Sequence, residues 1–218
     1  MLETLKLNSS IAGTPILRNA NLIMAPGTTV GLIGRNGAGK TTFMRTVMGL
    51  LPVTAGTISI GGLDVTSQPA HMRAAQGVGY MPEDRRLIPE FTVEENIVLP
   101  IVAIGETIDK SRLDWVYGLM PEIARFADRK ALALSGGQQK LVALARALIV
   151  GKKLLLLDEP FEGVAPALAQ RLIEVIVALR AEGLSVLLSE SDAVHSKDLL
   201  DELFVIERGE IIREEKKA

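Results

Sequence analysis

The sequence predicts an α/β fold, a mostly parallel sheet flanked by helices, with a small antiparallel β subdomain and an inserted α-helical subdomain. Three observations predict it. Leu154-Leu155-Leu156-Leu157 is an unbroken apolar run, the pattern of a parallel strand buried on both faces. Strand-like runs at Thr29–Ile33, Val78–Met81, Ser185–Ser189 and Glu202–Glu207 alternate with helical patterns, which makes a parallel sheet. From about Thr92 to Ala147 the pattern is helical, with Leu113, Val116, Tyr117 and Met120 recurring along one face.

In chain order, Leu2–Leu7, Ile16–Ile23 and Thr57–Ile60 are short strands between Gly, Pro and Asn turns, and suit an antiparallel sheet beside the core. Lys40–Leu50 is helix-compatible. After the helical insertion, Lys140–Val150 spaces Leu141, Leu144, Ala145 and Leu148 as a helix does. The Leu154 strand is followed by a helix at Pro166–Arg180, the strand Ser185–Ser189, a helix near Ala193–Leu199, and Glu202–Glu207 as the final strand. No internal repeat, low-complexity tract or long linker is present, so the helical segment is an insertion within one domain.

Gly34-Arg35-Asn36-Gly37-Ala38-Gly39-Lys40-Thr41-Thr42 lies between the Thr29–Ile33 strand and the Lys40 helix, the setting of a phosphate-binding loop. Its glycines let successive N–H groups turn inward as a nest for oxyanions, and the helix N-terminus adds its own unpaired donors. Lys40 is placed to reach the β- and γ-phosphates, and the Thr41 hydroxyl to ligate Mg²⁺. Asp158 and Glu159 close the Leu154 strand. Ligands of open α/β sheets bind outside the carboxyl ends of the strands. Asp158 is therefore expected in the Mg²⁺ shell, and Glu159 as the group that orients or deprotonates the attacking water. An acidic strand end alone is commonplace; coupled to a phosphate loop, it points to hydrolysis.

Leu134-Ser135-Gly136-Gly137-Gln138-Gln139 precedes the Lys140 helix, with Ser135 as N-cap and two glycines leaving the helix end bare. Its position between the phosphate loop and the acidic strand end resembles the ATP-binding cassette (ABC) ATPase family, whose signature is LSGGQ. The resemblance spans nearly the whole chain. It implies one cassette domain over residues 1–218: a P-loop (RecA-like) core and β subdomain at about 1–90 and 151–218, and a helical subdomain at about 91–150. It also implies ATP and Mg²⁺ as cofactors. Ser135, Gly136, Gly137 and Gln138 would close over nucleotide held by a second cassette, a copy or a paralogue.

Gly79-Tyr80-Met81-Pro82-Glu83-Asp84-Arg85-Arg86-Leu87, then Phe91-Thr92-Val93-Glu94-Glu95-Asn96 and Glu159-Pro160-Phe161-Glu162-Gly163-Val164-Ala165-Pro166, are similar to cassettes of branched-chain amino acid and urea importers. That branch implies transmembrane permease subunits and a solute-binding protein as partners, and a peripheral place on the cytoplasmic face of the membrane. Thr92–Leu119 and Glu83–Leu87 would dock the permease helices. Four positions depart from the family pattern. Glu83 stands where most cassettes have glutamine, and is assigned with Ser191 to sensing the γ-phosphate and water, and also to the Mg²⁺ shell. Ser191 stands where many have histidine. Ile11 lies where an aromatic side chain stacks on adenine, and Ala165 near the usual aspartate.

Composition narrows the classes. A formal net charge of −2 and a pI near 5.8 give no electrostatic case for nucleic acid. The absence of cysteine excludes disulfides and thiolate metal sites. His71 and His195 are too few for a histidine metal cluster and are expected at the surface or on helix sides. Met1-Leu2-Glu3 opens without a secretory pattern, and no apolar run reaches the roughly 20 residues that cross a bilayer. A mean hydropathy of +0.28 leaves apolar surface for a partner. The alternatives are an ABC ATPase not coupled to transport and a weakly hydrolysing ATP-binding regulatory module.

Overall fold

The computed structural model describes residues 1–214; residues 215–218 of the expected domain lie outside the described residues. In chain order the strands are β1 (Leu2–Ile11), β2 (Thr14–Met24), β3 (Thr29–Ile33), β4 (Ala55–Ile60), β5 (Leu63–Asp64), β6 (Val78–Met81), β7 (Leu154–Asp158), β8 (Ser185–Glu190), β9 (Glu202–Glu207) and β10 (Glu210–Glu214). The helices are α1 (Lys40–Val47), α2 (Ala70–Ala75), α3 (Val93–Ala103), α4 (Lys110–Leu119), α5 (Pro121–Ala124), α6 (Gly136–Val150) and α7 (Pro166–Ala181).

Two sheets result. An antiparallel one runs β2-β1-β4-β5, and a mostly parallel one runs β10-β9-β3-β8-β7-β6. The register of β7 explains its unbroken leucines. Leu154 and Leu156 enter a core with Phe43 and Met44 of α1, while Leu155 and Leu157 enter a second core with Ile97, Leu144 and Ile176 from the helical side. Every residue of β7 is buried. At Gly79 of β6 only glycine fits, because a Cβ there would lie 2.1 Å from Ala147 O of α6.

Helix starts follow local chemistry. The Thr92 hydroxyl accepts from Glu95 N and the Glu95 carboxylate from Thr92 N, a reciprocal cap that sets where α3 begins. At the end of α1, the buried Arg73 of α2 donates to Thr46 O and Val47 O, supplying partners to carbonyls the helix leaves open.

Several elements differ from the sequence expectation. The helix near Ala193–Leu199 is absent; only a 3₁₀ turn at Lys197–Leu199 forms. Asp192 Oδ1 accepts from Val194 N at 3.0 Å, the geometry of an N-cap, but no α-helix follows it. His195 is therefore not on a helix side, and its ring packs 5.9 Å from that of Phe161. Nor is β9 the last strand. Arg208 and Gly209 both adopt positive φ, 49° and 83°, the tight turn that returns β10 antiparallel along β9. The first helix ends at Val47, before Gly49 at φ 80°. The signature helix, by contrast, starts at Gly136 behind Ser135 as its N-cap, as the sequence predicts. No helix among the described residues is long and apolar enough to cross a membrane.

Candidate functional site

The loop between β3 and α1 carries Gly37 at φ 81° and Gly39 at φ 114°, conformations that turn its N–H groups to one side. It borders a cavity of about 400 Å³, where Asn36, Gly37, Gly39, Lys40, Thr41 and Thr42 face Glu83, Glu159 and Glu162, with Ile16 as the apolar wall. Glu159 comes from the end of β7, beside α1, because β3 and β7 flank β8 in the parallel sheet.

Lys40, 4% exposed, places Nζ 2.9 Å from Glu159 Oε1 and donates to Gly34 O at 2.5 Å. Ser191 Oγ lies 2.9 Å from Asn36 Oδ1 and 3.2 Å from Glu159 Oε1, so its single proton can bridge the phosphate loop and the carboxylate only one at a time. Asp158 is fully buried. Its Oδ1 accepts from Ser189 Oγ at 2.7 Å and Thr41 Oγ1 at 3.2 Å, and its Oδ2 from the Tyr80 hydroxyl at 3.2 Å. Burial raises the Asp158 pKa although these three hydrogen bonds pull the other way. Partial desolvation, then the Glu162, Asp158 and Glu159 carboxylates, raise that of Glu83.

Thr41 lines the cavity and its hydroxyl lies 3.2 Å from Oδ1 of the fully buried Asp158, a pair of hard oxygen donors suited to Mg²⁺ once phosphate oxygens complete the shell. Among the described residues, no three His, Cys, Asp or Glu side chains group to hold a metal by themselves.

The signature residues are not part of this cavity. Ser135 caps α6, its Oγ accepting from Gln138 N at 3.3 Å while Gln138 Oε1 accepts from Ser135 N at 3.0 Å. Gly136 lies under Arg85, so that a Cβ would sit 3.3 Å from Arg85 Nη1. Ile11 also lies outside the cavity wall. It ends β1, paired with Thr14 across the Ala12-Gly13 turn, and is 42% exposed. Ile16 occupies the position expected of Ile11, because the hairpin extends beyond Leu7 and carries Ile11 out to its tip.

Sequence reasoning passed over Tyr80, Ser189, Glu162 and Glu190. Tyr80 and Ser189 stand near the carboxyl ends of β6 and β8, on either side of β7, and the strand-end rule that picked out Asp158 also applies to them. Glu162 and Glu190 carried no pattern. Glu190 is buried, accepts from Phe161 N at 3.1 Å, and has its pKa raised to about 8. Burial is the chief cause, with Glu159 and Asp192 adding to it, and the Phe161 N–H and Lys140 opposing. Between 4.5 and about 8 the folded chain therefore holds a proton that the unfolded chain has lost. This contribution to stability is present at low pH and declines as pH rises through that window. Urea midpoints across the window are expected to fall less steeply with pH in Glu190→Gln than in the parent.

Residues 17–162 match the family model described as ABC transporter. Over 212 residues the chain is 34% identical to the high-affinity branched-chain amino acid transport ATP-binding protein BraG of Pseudomonas aeruginosa, covering 97% of this chain and 91% of that protein. It is 33% identical over 208 residues to the lipopolysaccharide export system ATP-binding protein LptB of Escherichia coli K12, covering 94% and 86%. A solved ATP-binding cassette of an ABC transporter in its ADP conformation superposes with a TM-score of 0.84 at 27% identity, over 97% of this chain and 89% of that one. A nucleotide-free cassette gives 0.86 at 26%, over 99% and 92%. The chain belongs to the ABC transporter family as an ATP-binding cassette, the subunit that binds and hydrolyses ATP.

Proposed function

We propose that this cassette drives a membrane importer for branched-chain amino acids or similar polar solutes. The observation that carries the hydrolytic half is that Lys40, Thr41 and Glu159 line one cavity at the phosphate loop, with the buried Asp158 hydrogen-bonded behind Thr41. In this reading the loop N–H groups and Lys40 hold the triphosphate. Thr41 and Asp158 hold Mg²⁺, which would neutralise phosphate charge. Glu159 orients and deprotonates water, and Glu83 and Ser191 respond to the γ-phosphate. Ser135, Gly136, Gly137 and Gln138, outside their own chain's cavity, serve the nucleotide of a second cassette. Ile11 at the hairpin tip is retained only as a peripheral adenine contact. The chain acts as one cassette domain with a helical subdomain at about 91–150, seated on the cytoplasmic face of the membrane. Its partners are permease subunits, a second cassette and a solute-binding protein.

The import half rests on the likeness to BraG along nearly the whole chain. A second reading, export of a lipid-linked saccharide, is favoured by the comparable likeness to LptB. Affinity purification from solubilised native membranes separates them. Co-purification of polytopic permeases that take up radiolabelled leucine in vesicles supports the import reading. Permeases associated with lipopolysaccharide and inert toward leucine support the export reading, and exclusively soluble partners overturn both.

A further inference from the structure

One buried cation has no part in the hydrolytic site proposed here. Lys140 sits in α6, 3% exposed, and its Nζ donates to Glu159 O at 2.9 Å and to Glu162 O at 2.8 Å. Neither acceptor is a carboxylate. A buried ammonium is expensive to desolvate, and burial lowers the Lys140 pKa accordingly. The Glu190, Glu162 and Glu159 carboxylates nearby offset part of that cost, and the two backbone hydrogen bonds fix where the ammonium points.

The two carbonyls bracket the segment that carries the catalytic carboxylate. Glu159 itself adopts φ 51°, a left-handed conformation that non-glycine residues hold only where the surroundings impose it. Its N–H donates to Ser189 O at 3.1 Å on one side, and its carbonyl accepts from Lys140 on the other. The peptide is thus pinned between β8 and the signature helix, and its side chain is turned onto Lys40 and Ser191.

We propose that Lys140 is a positioning residue: it clamps the Glu159–Glu162 turn to the signature helix, so that movement of that helix reorients the catalytic carboxylate of the same chain. The signature segment would then act twice, on a second cassette through its tip and on its own Glu159 through Lys140. This rests on the catalytic role proposed for Glu159.

The test is steady-state phosphate release and ATP affinity for Lys140→Met and Lys140→Arg beside Glu159→Gln. Lys140→Met keeps the length and loses the donors, and its kcat is expected to fall about tenfold with KM changed less than about twofold. Lys140→Arg, which keeps cationic donors, is expected to recover most of the loss. If Lys140→Met does not fold, Lys140→Gln carries the same test, with donors on a shorter arm and an intermediate loss of kcat. A folded Lys140→Met or Lys140→Gln with the parent kcat overturns the proposal. So does a loss that Lys140→Arg fails to restore, or one that lies wholly in KM. Parent-like turnover in Glu159→Gln would instead overturn the role of Glu159 itself.

Discussion

Glu159→Gln is expected to lose steady-state ATP hydrolysis by about 10²–10³-fold while still binding ATP, because general-base assistance contributes on that order. The amide keeps the shape and one oxygen, so Lys40 and Ser191 retain an acceptor where the carboxylate stood. It cannot take a proton from water. The Lys40 ammonium lies 2.9 Å from Glu159 Oε1, so phosphate must compete with that carboxylate for the same cation. Removing the negative charge removes the competitor. ATP affinity of Glu159→Gln is therefore expected to equal or exceed that of the parent, and cassettes should accumulate in a closed, ATP-bound dimer. Phosphate release at saturating Mg-ATP and equilibrium nucleotide binding measure the two halves. Unchanged phosphate release would sink the role assigned to Glu159.

Lys40→Ala acts in the opposite sense. A hydrogen bond to a charged group is worth roughly 1.5–3 kcal/mol, so loss of Lys40 from the phosphates should weaken ATP binding about ten- to a hundredfold. The same substitution leaves Glu159, 5% exposed, without its cation. Breaking a buried pair by removing one partner costs up to about 3–5 kcal/mol. The open cavity beside Glu159 admits water and puts the cost at or below the lower end of that range. Lys40→Ala should therefore lower both nucleotide affinity and the urea midpoint of the nucleotide-free protein. The double variant Lys40→Ala/Glu159→Gln should regain the stability but not the affinity. Retained ATP affinity in Lys40→Ala would count against the phosphate role of Lys40, and an unchanged midpoint against the strength of the pair.

How far the site was legible follows from the range of the interactions that form it. The phosphate loop is contiguous: Gly37, Gly39, Lys40 and Thr41 define their own backbone and helix start, and the loop borders the cavity as the local pattern predicts. The Ser135–Gln138 cap is likewise made within one turn. The leucines of β7 announced a strand buried on both faces, which the register and the two cores reproduce. The local pattern misled at two places. After Asp192 a cap-like bond to Val194 N is not followed by an α-helix, and Arg208-Gly209 returns an extra strand. That turn had a readable glycine, whereas a cap residue by itself does not show whether the turn after it continues.

An ATP-hydrolysing cassette is legible from short-range spacing, because the Gly34–Thr42 loop and the Asp158-Glu159 pair are each specified within a few contiguous residues. Tertiary structure alone decided which side chains meet. The hairpin register put Ile16 rather than Ile11 on the cavity wall. Strand order placed the Tyr80 and Ser189 hydroxyls on Asp158, across 78 and 31 residues of chain. The packing of α6 brought Lys140 onto the backbone of Glu159. Burial did the rest, because charged groups closed off from water are stable only with the partners the fold supplies, and those partners are remote in the chain.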